Sequence, residues 1–205
     1  MLVAFEGGEG AGKSTQVAAL AELLRSRGLD VVLTYEPGDS PIGAQVRRIL
    51  LGHDSAGLSA KAEALLYAAD RAEHVERVVR PALVRGAVVV TDRYVDSSLA
   101  YQGAGRPLDP EDVERLSAFA TGGLVPDLTV LLDLDPVEGL RRAGDPDRLE
   151  GEPLEFHRRV RARFLELAAA EPARYLVVDA SAPADAVREQ VAAAVLERLA
   201  SGVPS

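Results

Sequence analysis

The chain contains no cysteine, no tryptophan and no asparagine. Without cysteine there is no disulfide framework, no thiolate metal site and no cysteine nucleophile. Without asparagine there is no N-K-x-D-type motif, which a guanine-specific switch protein would need after a late strand. Long apolar runs are missing too, and none approaches the roughly 20 residues that span a bilayer. The opening MLVAFEGGEG has no basic stretch followed by an apolar run and a small-residue cleavage site. Neither a membrane partner nor a signal peptide is expected, and a cytoplasmic protein is. Positive charge is in deficit, with a net charge of −9 and a pI near 4.9. A protein that grips a nucleic-acid backbone usually carries a basic field, so no nucleic-acid partner is expected. A phosphate site, if present, must come from a local cluster of cations. Lysine is scarce, with Lys13 and Lys61 against 21 arginines among the 23 basic residues.

What is present suits one domain over residues 1–205, with 47% hydrophobic residues and no repeat or linker. Short apolar runs at 2–6, 31–35, 87–91, 128–134 and 175–178 read as strands buried on both faces. Helical periodicity separates them. Val17, Leu20, Ala21 and Leu24 share a helix face, with Gly28 as its stop. Further helices are expected over 60–79, ended by Pro81, and over 110–120, 154–170 and 184–199. Strands alternating with helices predict an α/β fold, a five-stranded parallel sheet with helices on both faces. In such sheets ligands sit beyond the carboxyl ends of the strands.

The strongest motif lies at that end of the first strand. Residues 7–14, GGEGAGKS, match G-x-x-x-x-G-K-[ST] between a strand and a helix. Gly7, Gly8, Glu9, Gly10, Ala11, Gly12, Lys13, Ser14 and Thr15 are the expected ATP-binding residues. Glycines let the backbone N–H groups turn inward to meet phosphate oxygens at the helix N-terminus. Lys13 can reach the β- and γ-phosphates, and the Ser14 hydroxyl is placed to ligate Mg²⁺. The motif identifies nucleotide binding but leaves the phosphoryl acceptor open.

A second cluster, TDRYVDSSLAYQGAGR over 91–106, follows the third strand. Asp92 is placed with Ser14 as a candidate metal ligand, and Arg93 can neutralise a phosphate bidentately. Hydroxyls, an amide and two tyrosines crowd the same segment, which reads as a recognition loop.

In these segments the chain resembles bacterial thymidylate kinases over nearly its whole length. The matching strings are FEGGEGAGKST (5–15), EPG (36–38), LLYAADRAEHV (65–75), DRYVDSSLAYQGAGR (92–106), PDLTVLLDL (126–134) and DRLE (147–150). The resemblance implies a P-loop nucleoside monophosphate kinase fold, a homodimer, and transfer of the ATP γ-phosphoryl group to dTMP. It implies that Tyr67 stacks on thymine, that Arg71 donates to a thymine carbonyl, and that Ser98 and Gln102 bond the base or its surroundings. Tyr101 would crowd the 2′ position, Glu9 would face the 3′-hydroxyl, and Glu36 is carried over with the sugar or Mg²⁺. Arg93 and Arg47 would hold the acceptor phosphate. A short lid at about 142–151 would carry the catalytic arginine, because Gly10 and Ala11 leave the P-loop without one. Arg148 is first choice for that role, with Lys13 and Arg93 as the other catalytic groups. Phosphoryl transfer is mostly positioning and charge neutralisation, so no general base is assigned.

The chain departs from the family at 35–40, which reads YEPGDS where relatives commonly have REPGGT. An arginine is lost and Asp39 is gained. His53, His74 and His157 show no metal-ligand spacing and read as packing or surface residues. Kinases for another small acceptor, such as guanylate, cytidylate or shikimate, remain the nearest alternatives. A P-loop motor is disfavoured by size and charge.

Overall fold

The computed structural model describes residues 1–55, 57–144 and 148–202. Five strands, β1 (Leu2–Glu6), β2 (Val31–Tyr35), β3 (Val88–Asp92), β4 (Leu128–Asp133) and β5 (Tyr175–Asp179), form one sheet. Every pairing is parallel, and the order is β2-β3-β1-β4-β5. The helices are α1 (Lys13–Ser26), α2 (Gly43–Leu51), α3 (Ala60–His74), α4 (Arg80–Val84), α5 (Val95–Ala100), α6 (Pro110–Thr121), α7 (Pro136–Ala143), α8 (Leu154–Ala170) and α9 (Ala184–Ala200). No helix among the described residues is long and apolar enough to cross a membrane.

Side chains alternate across the central strand. Val3 and Phe5 pack with Val17, Leu20 and Leu24 of α1 and Val187, Val191 and Val195 of α9. Leu2 and Ala4 face the other way, onto Val75, Val79 and Ala82. Both faces are therefore covered, and β1 is buried at all five positions. The edge strands β2 and β5 are buried only in part.

Local chemistry sets the boundaries. Helix α1 ends where Gly28 takes φ +81, with Gly28 N–H on Arg25 O at 2.9 Å and Leu29 N–H on Leu24 O at 3.3 Å. That pair of bonds is a Schellman cap, which needs a left-handed residue. Helix α7 opens on Asp135, whose carboxylate accepts the Val137 N–H at 2.9 Å, with Pro136 in its first turn.

Three differences from the sequence reading matter for the site. The helix after residue 60 does not stop at Pro81. It widens into a π turn over Val75–Val79 and runs on as α4, ending where Gly86 takes φ +84. A wider turn makes room for a proline ring that would clash in a regular helix. Second, the expected recognition loop is helical, formed by α5 and a π turn over Tyr101–Gly105. Third, α2 and α7 were not anticipated. Both are short, and the start of α2 is tied by Ser40 Oγ, which accepts the Gly43 N–H at 2.8 Å.

Helix α7 fixes the phosphate loop from outside. A Cβ on Gly10 would lie 2.1 Å from Gly139 O, and a Cβ on Gly139 would lie 2.3 Å from Glu9 O. The two backbones can meet only because both positions lack a side chain. Gly139→Ala should therefore push the loop off its seat. A stability loss of about 1–3 kcal/mol is expected, together with weaker ATP binding. Thermal unfolding and nucleotide titration of the variant measure both effects.

Candidate active site

The carboxyl ends of β1 and β3 open into one cleft of about 680 Å³. Its floor is the loop from Glu9 to Thr15, and its far end is lined by Tyr67, Arg71, Ser98 and Gln102. Arg93 and Tyr101 lie in the same lining, as do Glu36, Arg47 and Asp92. Sixteen of the expected site residues thus share one cavity. Gly7 and Gly8 lie beneath it, where their carbonyls accept from Lys13 Nζ at 3.1 and 2.8 Å. Burial and the Arg93 charge press the Lys13 pKa down, while Glu9 and Asp92 oppose them.

Arg93 is the one non-glycine residue among those described with a left-handed backbone, at φ 71. Such a conformation costs on the order of 1–3 kcal/mol, so the surroundings must hold it. Its N–H bonds Phe5 O at 2.9 Å, and its carbonyl accepts from the Thr91 hydroxyl at 2.9 Å. The guanidinium crosses back over the phosphate loop. Nη1 donates to Gly7 O at 3.3 Å and Ser97 Oγ at 3.1 Å, and Nη2 donates to Glu9 Oε1 at 2.8 Å. The Tyr101 hydroxyl donates to the same Glu9 oxygen at 2.6 Å. Burial would raise the Glu9 pKa, but Arg93, Lys13 and the Tyr101 bond outweigh it and hold it at about 2. Glu9 is thus a permanent anion in the loop, spoken for by Arg93 and Tyr101.

The far end of the cleft is a second buried ion cluster. Arg71 donates through Nε to Glu36 Oε2 at 2.7 Å, through Nη1 to Ser98 Oγ at 2.9 Å and through Nη2 to Tyr94 O at 2.9 Å. Three of its five N–H groups fix its plane. Glu36 is 4% exposed and also contacts His74 Nδ1 at 2.8 Å, so its role is to orient other groups. Arg47 donates to Pro37 O at 2.7 Å and lies over the Tyr35 ring. Its neighbour Arg48 is exposed and lines no part of the cleft.

The Ser14 hydroxyl donates to Asp92 Oδ2 at 2.9 Å, and both residues line the cleft. These are hard oxygen donors at the phosphate end, and they fit a Mg²⁺ ion that takes its remaining ligands from water and phosphate. No cluster of three or more His, Cys, Asp or Glu suited to a metal occurs among the described residues.

In the lid, Arg148 lies away from the cleft. Residues 145–147, in the middle of that segment, lie outside the described residues. Arg148 donates through Nε to Leu50 O at 2.7 Å and through Nη2 to Glu63 Oε2 at 2.7 Å. The fully buried Glu63 also accepts from Gln102 at 3.0 Å and twice from Arg106 at 3.1 Å. A buried carboxylate requires such partners, and it captures Arg148. The arginine of this segment that reaches the cleft is Arg142, whose Nε donates to Glu138 at 2.8 Å and Nη1 to Ala180 O at 3.1 Å. Arg141 is an exposed partner of Glu138.

Sequence reasoning missed Glu6. It is wholly buried at the end of β1 and accepts from Tyr94 N at 2.8 Å, Ser97 N at 3.1 Å and Ser97 Oγ at 2.6 Å. Those bonds seat the start of α5 and hence Ser97 and Ser98. The only cue was an acidic residue ending a strand that was otherwise apolar.

Fold and cleft together define a P-loop phosphotransferase with a nucleotide cradle and a second, base-sized slot. A family model described as thymidylate kinase matches residues 5–191. Thymidylate kinase of Cutibacterium acnes is 52% identical over 199 residues, covering 97% of this chain and 96% of the relative. Thymidylate kinase of Deinococcus radiodurans is 53% identical over 201 residues, covering 97% of each. The crystal structure of thymidylate kinase from Ehrlichia chaffeensis superposes with a TM-score of 0.78 at 32% identity, covering 95% of this chain and 98% of that one. The chain belongs to the thymidylate kinase family, and its fold is that of the P-loop nucleoside monophosphate kinases.

Glu6 gives a pH test. Burial, then the nearby Asp96 charge, push its pKa up to about 8 from 4.5. The folded state then holds a proton that the unfolded chain has released. Its contribution is complete below pH 4.5 and is lost as pH rises toward 8. Asp70, pushed up to about 6 mainly by burial, adds a smaller loss in the lower part of that window. Glu6→Gln can keep the bonds from Tyr94 N and Ser97 N through its amide oxygen, while its NH2 donates to Ser97 Oγ in place of accepting from it. Chemical denaturation at pH 5 and pH 8.5 should show a stability drop in the parent that shrinks in the variant by on the order of 3 kcal/mol.

Proposed function

We propose that this protein transfers the γ-phosphoryl group of ATP to thymidine monophosphate, yielding ADP and thymidine diphosphate for dTTP synthesis. The observation that carries this reading is one cleft joining the phosphate loop to the slot of Tyr67, Arg71, Ser98 and Gln102, with Arg93 at the junction, in a chain of this family.

ATP lies with its phosphates on the N–H groups of Gly10 to Thr15 and its γ-phosphate near Lys13. Ser14 and Asp92 would hold a Mg²⁺ ion, which would supply positive charge to the phosphate oxygens. The acceptor phosphate meets Arg93 and Arg47, bringing two polyanions in line against their repulsion. Thymine fits the Tyr67 face and the Arg71, Ser98 and Gln102 edge, a combination suited to a neutral planar base. Tyr101 borders the sugar, and its hydroxyl is already bonded to Glu9. Glu9 remains ionised and contributes charge balance rather than proton abstraction. We place the protein in the cytoplasm, where both substrates reside, and read it as a homodimer on the family resemblance.

Arg142 takes the lid role first assigned to Arg148, because it reaches the cleft while Arg148 is bound to Glu63. Arg142→Ala should lower kcat by about 10²-fold, as for loss of one transition-state charge, with little change in stability. Arg148→Ala should chiefly lower the melting temperature, because it leaves Glu63 short of one partner. The reverse pattern returns the catalytic role to Arg148. For the substrate, a panel of nucleoside monophosphates with ATP and Mg²⁺ is decisive. Fast conversion of dTMP, with dCMP and dGMP poor, is the expected result. An inert dTMP with another monophosphate turned over would refute the base-slot assignment and leave the phosphate loop standing.

A further inference from the structure

Behind Arg71 runs a chain of hydrogen bonds that no step above uses. Thr34 Oγ1 lies 2.5 Å from Asp39 Oδ2 and 2.6 Å from His74 Nε2. His74 Nδ1 lies 2.8 Å from Glu36 Oε1, and Glu36 Oε2 is bound to Arg71. Thr34, His74, Glu36 and Arg71 are all at least nine-tenths buried. Asp39, at the outer end, is half-buried and stands where the family commonly has glycine.

Glu36, ionised against Arg71, only accepts, so His74 Nδ1 donates to it. The Thr34 hydroxyl has one proton. If it points to Asp39, then His74 Nε2 must donate to Thr34, and the ring is a cation. If it points to His74, then Asp39 must donate to Thr34, and the carboxyl is protonated. Neutral His74 with ionised Asp39 would set two acceptors against each other at one of these contacts. Satisfying both contacts at once takes one extra proton on Asp39–Thr34–His74. The charged groups around the ring are Glu36 and Asp39 on the segment after β2, and Asp70 and Arg71 on α3. With the extra proton, Asp39, His74, Glu36 and Arg71 sum to zero; without it they carry one negative charge, to which an ionised Asp70 adds another beside the buried Glu36.

We propose that His74 is a positioning residue for acceptor binding, and that Asp39, acting through Thr34, keeps the chain protonated so that Glu36 holds Arg71 in its base-reading orientation. This proposal rests on the reading of Arg71 as a thymine contact.

Two measurements keep that reading and the proton separable. The first is NMR of ¹⁵N-histidine and ¹³C-carboxyl labelled protein at neutral pH, without substrate. The proposal expects His74 protonated at both nitrogens or Asp39 protonated. A singly protonated His74 beside an ionised Asp39 overturns it, whatever the substrate proves to be. The second is calorimetric dTMP binding as a function of pH. Thr34→Val keeps the shape and removes the link, and should weaken dTMP binding about tenfold while leaving ATP affinity near the parent value. The amide introduced by Asp39→Asn can donate to Thr34 without an added proton. That variant should lose the parent's weakening of dTMP binding at high pH. Unchanged dTMP affinity in Thr34→Val, or the same pH profile in Asp39→Asn as in the parent, overturns the positioning role. Folding of each variant is checked by its unaltered ATP titration.

Discussion

The Arg93 guanidinium, buried against the phosphate loop and tied to Glu9, is the interaction on which the cleft depends. It requires a left-handed backbone just past β3, a conformation that only strong surrounding bonds sustain. It bonds the Gly7 carbonyl, so the loop's own shape is referenced to it. It bonds Ser97, so the start of α5 is referenced to it as well. Glu6, beneath, ties the same Ser97 to the end of β1. Loop, strand ends and the start of α5 thereby share one origin, an arrangement that on the proposed function would place the phosphate ends of two substrates against each other.

The chain carries a net charge of −9 yet lines its cleft with Lys13, Arg47, Arg71, Arg93 and Arg142. Arg93 has Glu9 and Arg71 has Glu36, the exposed Arg142 has Glu138, and the buried Lys13 is held by the Gly7 and Gly8 carbonyls. Glu63 does the same for Arg106 and Arg148 outside the cleft. Pairing lets cations be held in a low-dielectric site and aimed before a ligand arrives. On the proposed function, incoming phosphates would compete with carboxylates for the same donors. A Glu-Arg pair inside the pocket is on this view a preset geometry as much as a source of stability.

Much of this was legible from residues alone. The strands announced themselves because a doubly covered parallel sheet demands continuous apolar runs, and 2–6 and 128–133 are such runs. The phosphate loop was legible because its chemistry needs Gly, Lys and Ser at fixed spacing. What stayed hidden was set by tertiary contact. Helices α2 and α7 are too short for periodicity to register, and α7 is held by Gly139 against Glu9 O. The segment after β3 was dense in polar residues and read as a loop, yet Glu6 caps it into a helix from a distant strand. Pro81 looked like a stop, but a π turn ahead of it absorbed the ring. Arg148 was assigned by its place in a motif, while its direction was decided by Glu63, 85 residues away. Glu6 and His74 could not be recognised as organising groups until their partners were brought together.

The most direct measurement is a crystal structure of the protein with dTMP and a non-hydrolysable ATP analogue. The expected result places the dTMP phosphate within hydrogen-bonding distance of the Arg93 guanidinium, thymine against Tyr67 and Arg71, and the ATP phosphates on the loop from Gly10 to Thr15. A dTMP phosphate bound elsewhere, with the Arg93–Glu9 pair intact and untouched by either ligand, would contradict the central role given to Arg93.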